Sequence, residues 1–173
     1  MKQEVIIISD LWGAEKAEWY DLFHSRLAFR YNLTFYDACE LGEIDLTPYD
    51  QESLHKQFLD FGIDKAILAL LDYHHKSCIY IGCSVGGVIA WKVARRGLPV
   101  EKLITISSTR LRKETESPDC VKYNFYGKGD QYKPSSDWLA STEMGHTTLL
   151  DGSHYIYKDA DCIDFILQQA KLI

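Results

Sequence analysis

The sequence predicts an α/β fold: a mostly parallel sheet of about six strands with helices on both faces and no substantial cap domain. Three observations carry that prediction. Short apolar runs recur along the chain with the composition of strands buried on both sides, beginning with Val5-Ile6-Ile7-Ile8. Between them lie stretches whose apolar residues return at helical spacing, the alternation expected of a parallel sheet. One junction, Gly82-Cys83-Ser84-Val85-Gly86, joins an apolar run directly to an amphipathic helical pattern.

The elements follow in order. After the first strand, residues 14–29 predict a helix, with Trp19, Leu22, Phe23 and Leu27 on one face. Residues 32–36 read as a second strand closed by Asp37, and 41–48 as a loop in which Pro48 suits the start of the next helix. Two helical pieces follow, split near Gly62: the first buries Leu54 and Phe58, the second Ile63, Ile67, Leu70 and Leu71, with Asp64 as its cap. Residues 77–81 form the strand before the junction. The helix after it buries Val85, Val88, Ile89 and Val93 and stops at Gly97, with Pro99 preventing continuation. Strands are expected at 102–106, 121–126 and 147–150, and a last helix carries Ile163, Ile166, Leu167 and Ala170 on one face. The polar segment between 106 and 121 is too short for a separate cap.

Composition sets the bounds. A chain of 173 residues fits one domain, residues 1–173. With 46% hydrophobic and 25% charged residues it has the balance of a folded chain, which excludes a largely disordered one. A net charge of -6 and the absence of a basic stripe argue against nucleic acid as a partner, and the short runs Arg95-Arg96 and Arg110 to Lys113 read as solvated. Residues 1–8 hold only a four-residue apolar run, too short for a secretory core or a membrane span, so a cytoplasmic location without membrane association is expected. Five cysteines without a Cys-x-x-Cys pair read as reduced thiols. Oligomeric state is not legible.

The junction carries the chemistry. A serine on a sharp strand-to-helix turn needs tiny neighbours two positions away, which Gly82 and Gly86 supply around Ser84. The free N–H groups of the following helical turn suit a developing oxyanion. A serine hydroxyl needs a base to take its proton and a third group to orient that base. In open parallel sheets such groups lie in loops after strands. Asp130 follows the 121–126 strand and His154 the 147–150 strand, so Ser84, Asp130 and His154 are the expected nucleophile, acid and base. The competing reading makes Asp130 a turn former and His154 a capping or solvated side chain. His146 is the rival base, and Asp137 and Asp119 are fallback acids. The N–H groups of Val85 and Leu11 are the expected oxyanion donors, with Trp12 next in line. Trp12 reads either as an apolar wall for an acyl group or as a lid over the first helix. Cys83 reads as packing. His74 and His75 cannot face one ion from the same side of a regular helix, and no other cluster has metal-ligand spacing, so neither metal nor cofactor is expected.

With these residues in place the chain resembles a small α/β-hydrolase over its whole length. Ser9-Asp10-Leu11-Trp12-Gly13, Gly82-Cys83-Ser84-Val85-Gly86-Gly87, Tyr126-Gly127-Lys128-Gly129-Asp130 and Gly152-Ser153-His154 correspond to the family's oxyanion loop, nucleophile elbow, acid loop and histidine loop. The chain order serine, acid, histidine is the family's order. The oxyanion loop departs from the usual His-Gly-x-x-Gly and keeps only the final glycine, and the two usual opening strands have no counterpart. The resemblance implies a serine hydrolase that cleaves an ester or thioester of a small or carrier-tethered acyl substrate through an acyl-enzyme. The alternative is a non-catalytic binding or scaffold protein that retains the hydrolase fold.

Overall fold

The computed structural model describes residues 2–74 and 76–173; the expectations placed on Met1 and His75 lie outside the described residues. Six strands form one sheet: β1 (Gln3–Ile8), β2 (Tyr31–Tyr36), β3 (Cys78–Cys83), β4 (Val100–Ile106), β5 (Val121–Gly127) and β6 (His146–Leu150), in the order β2-β1-β3-β4-β5-β6. Every neighbouring pair is parallel. The helices are α1 (Tyr20–Leu27), α2 (Ala38–Leu41), α3 (Gln51–Gln57), α4 (Ile63–Tyr73), α5 (Val85–Arg95), α6 (Ser136–Ala140) and α7 (Ala160–Gln169).

Strand periodicity divides the core in two. Alternate side chains of a strand point to opposite faces. Ile6 and Ile8 therefore join a layer with α2, α4 and α5, including Leu70, Tyr80, Ile89 and Trp91. Val5 and Ile7 join the opposite layer with α1 and α7, including Phe23, Leu27, Ile163 and Leu167. Such strands can be apolar at every position because both faces are covered.

Four local expectations are corrected. The helix expected over 14–29 is a 3₁₀ turn, Gly13–Lys16, followed by α1. Asp37 accepts the Ala14 N–H at 2.9 Å and the chain turns again at Ala17, whose carbonyl accepts from Tyr20 at 2.8 Å, so Trp19 stands at the helix entrance. The helix after Pro48 begins at Gln51, where the Asp50 carboxylate accepts the Ser53 N–H at 2.9 Å and caps the end. No break occurs at Gly62. A π-helical turn, Phe58–Gly62, carries α3 into α4, so Asp64 has no helix end to cap and instead faces Arg96 at 3.5 Å. The short α6 was not expected; Ser135 caps it by accepting from Trp138 N–H.

Candidate active site

Because all six strands run the same way, their carboxyl ends share one edge of the sheet. β2 lies on one side of β1 and β3 on the other, so the chain reverses direction across the sheet between β1 and β3, the place where such sheets form sites. The loop after β1 holds Leu11, and the turn after β3 holds Ser84.

Ser84 occupies φ 52°, ψ -116°, a region sparsely used by non-glycine residues and costing about 1–3 kcal/mol. Its N–H donates to Ile106 at 2.8 Å and its carbonyl accepts from Gly87 at 3.2 Å, which pins the turn between β4 and α5. The glycine requirement is steric. A Cβ on Gly86 would stand 2.5 Å from the Ile8 carbonyl oxygen, and one on Gly82 would collide with the Gly87 backbone. Cys83, fully buried in β3, packs into the core, and burial pushes its thiol well above the usual range.

Three side chains from separate loops meet. His154 Nε2 lies 3.2 Å from Ser84 Oγ, and His154 Nδ1 lies 2.7 Å from Asp130 Oδ2. The loops that carry Asp130 and His154 are pressed together: Gly129 N–H donates to the Gly152 carbonyl at 2.9 Å, and a Cβ on Gly127 would collide with the Ser153 carbonyl. Asp130 is buried and also accepts the Tyr132 N–H at 3.0 Å. Burial acts to raise its pKa, but the hydrogen bonds from His154 and Tyr132, with the nearby charges of His154 and Lys133, hold it below the usual carboxylate value. An ionised Asp130 fixes the tautomer with hydrogen on Nδ1 and leaves the Nε2 lone pair toward Ser84.

No protein-family model matches the sequence, and no curated protein matches it. Solved structures do. A protein from Xanthomonas campestris pv. campestris, assigned as a hydrolase of the alpha/beta superfamily, superposes with a TM-score of 0.71 at 14% identity, over 99% of this chain and 98% of that one. A carboxylesterase structure from Nitrososphaera gargenis superposes with a TM-score of 0.64 at 12% identity, over 98% and 91%. Est1E from Butyrivibrio proteoclasticus gives 0.63 at 12% identity, over 98% and 86%. The chain has the α/β-hydrolase fold.

In this hydrolase fold, Ser84 and His154 open onto a cavity of about 450 Å³. Leu11 and Val85 line it too, and among the described residues the N–H of neither donates to a protein acceptor. The Trp12 N–H, in contrast, is taken by Asp10 Oδ1 at 3.1 Å. The Trp12 side chain is not among those that line the cavity. Its ring packs edge-on against Tyr49 with centroids 5.5 Å apart, under Lys16 Nζ at 3.9 Å, and Tyr49 donates its hydroxyl to the Trp12 carbonyl at 2.7 Å. Those contacts fix the indole beside Tyr49 and Lys16. Trp138 packs against Trp91 and Tyr126, and Tyr132 lines the cavity.

The rival base, His146, opens β6 at the amino end, far along the strand from the carboxyl edge, and its ring lies against Tyr123. Among the described residues no group of His, Cys, Asp and Glu side chains could hold a metal ion, and no helix is long and apolar enough to cross a membrane. Sequence reasoning missed the walls. Phe58 and Leu59 come from the π turn and Ile63 from the start of α4, and Arg110 and Arg112 come from a 3₁₀ turn, Thr109–Lys113, after β4. π turns often mark functional sites. The arginines were within reach of the rule that found Asp130 and His154, since they too follow a strand.

Proposed function

We propose that the chain is a serine hydrolase that cleaves an ester or thioester of a small or carrier-tethered acyl group through an acyl-enzyme. The observation that carries the reading is His154 standing between Ser84 Oγ at 3.2 Å and Asp130 Oδ2 at 2.7 Å, with Ser84 on a left-handed backbone corner beside a partly apolar cavity.

The chemistry follows from those distances. Ser84 Oγ attacks the carbonyl carbon as its proton passes to His154 Nε2, and Asp130 stabilises the imidazolium across the Nδ1 bond. The N–H groups of Val85 and Leu11 receive the oxyanion. Collapse expels the alcohol or thiol, which takes the proton from Nε2. Water then repeats the sequence on the acyl-Ser84 ester and releases the acid. That neighbours of this fold include carboxylesterases supports the reaction class.

A fluorophosphonate probe should label the wild-type protein at Ser84, and Ser84→Ala should abolish both labelling and turnover of short p-nitrophenyl esters. Labelling that persists in Ser84→Ala defeats the assignment of the nucleophile. A folded wild-type protein with neither labelling nor turnover favours the binding-protein alternative.

A further inference from the structure

The cavity wall has an unusual charge. The chain carries 25 acidic and 19 basic residues, yet no carboxylate lines the cavity while two of the six arginines, Arg110 and Arg112, do. Three of the other four are matched by carboxylates: Arg26 by Asp164, Arg95 by Glu116 and Arg96 by Asp64. Among the described residues, the half-buried Arg110 guanidinium has neither hydrogen bond nor ion pair. The exposed Arg112 donates only to backbone carbonyls, Thr109 at 2.8 Å and Tyr132 at 3.5 Å, and among the described residues no carboxylate pairs with it. His55 lines the same cavity, and burial followed by the charges of Arg110 and Arg112 depresses its pKa, as expected where two guanidinium groups face one space without a counter-ion.

Two like charges held at the wall of a partly apolar cavity gain most from an anion, because guanidinium pairs with carboxylate or phosphate in matching planar geometry. The remainder of the wall, with Phe58, Leu59, Ile63 and Val88, suits hydrocarbon. We infer that the substrate is an acyl ester or thioester bearing an anionic group, a carboxylate or a phosphate, that pairs with Arg110 and Arg112. The inference rests on the proposed reading of Ser84 as the nucleophile in this cavity.

Binding to Ser84→Ala, measured by calorimetry at low and high salt, tests it without turnover. One ligand pair places the anion on the acyl side: methyl hexanoate against monomethyl adipate. The other places it on the leaving group: S-acetyl-N-acetylcysteamine against acetyl-coenzyme A. The expected result is that the anionic member of one pair binds about ten-fold or more tightly than its neutral partner, that salt narrows the gap, and that Arg110→Ala with Arg112→Ala in the same background removes it. The lysine double variant should keep part of it. Equal binding or absent binding of both members in both pairs, or a gap that survives the double alanine variant, overturns the inference. Fluorophosphonate labelling of the wild type reports separately on Ser84, so a failed nucleophile and a failed anion site give different results.

Discussion

Asp10 and Asp130 are two solutions to one local problem. Each follows a parallel strand, each is nearly inaccessible at 1% and 3% exposure, and each accepts the N–H of the residue two positions on, Trp12 at 3.1 Å and Tyr132 at 3.0 Å. Their second partners differ. Asp130 receives an imidazole, and Asp10 receives the Tyr157 hydroxyl at 2.8 Å on Oδ2. Burial raises the Asp10 pKa more than Tyr157, Trp12 and the distant charges lower it, whereas at Asp130 the partners win. An imidazole can carry the counter-charge and a phenol cannot. Tyr157 is held protonated, because burial and the adjoining carboxylate push its own pKa upward. One carboxylate is thus held charged beside an imidazole, and the other ties a loop to a buried phenol.

The largest effect should come from breaking the first of these. On the proposed mechanism, Asp130→Asn offers His154 an amide that no longer favours hydrogen on Nδ1, and kcat for a p-nitrophenyl ester should fall by about 10³–10⁴-fold. Loss of less than ten-fold would show that Asp130 does not orient the base. Tyr157→Phe strikes the second. It strips one hydrogen bond from a buried carboxylate and should cost about 1.5–3 kcal/mol in urea unfolding at neutral pH. Because the lost bond matters most to the ionised form, the deficit should shrink as the pH falls and Asp10 is protonated. A deficit independent of pH would show that the Tyr157 hydroxyl does not favour the ionised form of Asp10 over the protonated one.

The contrast between Asp10 and Asp130 also marks what a single sequence discloses. Continuous apolar runs such as Val5 to Ile8 and Ile79 to Ile81 are legible because a strand covered on both faces has no reason to alternate. Ser84, Asp130 and His154 are legible as a group because each lies in the turn or loop that follows a strand, and parallel strands bring those positions to one edge. Asp10 meets the same positional rule, but its partner Tyr157 lies 147 residues away, and nothing local distinguishes it from a turn former. The cavity walls are hidden for a related reason. Phe58 looks like a core residue of a broken helix, since a π turn leaves no periodic signature distinct from a helix break, and Leu59, 40% exposed, lines the cavity from the same turn. Trp12 is a different case. It stands in the right loop, but Asp10, Tyr49 and Lys16 hold its backbone and ring in place by contacts that no spacing rule anticipates.

The smallest effect is the most diagnostic of the comparison, because the two carboxylates should bend the stability profile in opposite directions. The folded state holds the Asp10 proton more tightly than the unfolded chain does, since its pKa is raised above 3.8. Between 3.8 and the raised value the folded protein binds more protons, so this group makes stability fall as the pH rises, and the loss is complete above that window. Asp130, lowered below 3.8, does the reverse: its contribution is present above 3.8 and is lost as the pH falls through the folded value. Asp10→Asn keeps an oxygen to accept from Trp12 and removes the charge. Urea unfolding across the acid range should therefore show Asp10→Asn gaining on the wild type as the pH climbs above 3.8, and Asp130→Asn losing ground as the pH climbs from the lowered Asp130 value up to 3.8. If both variants shifted the profile in the same direction, the imidazole and the phenol would be equivalent partners, and the difference between a charged relay and a structural turn would have to lie in the loops and not in the side chains that face them.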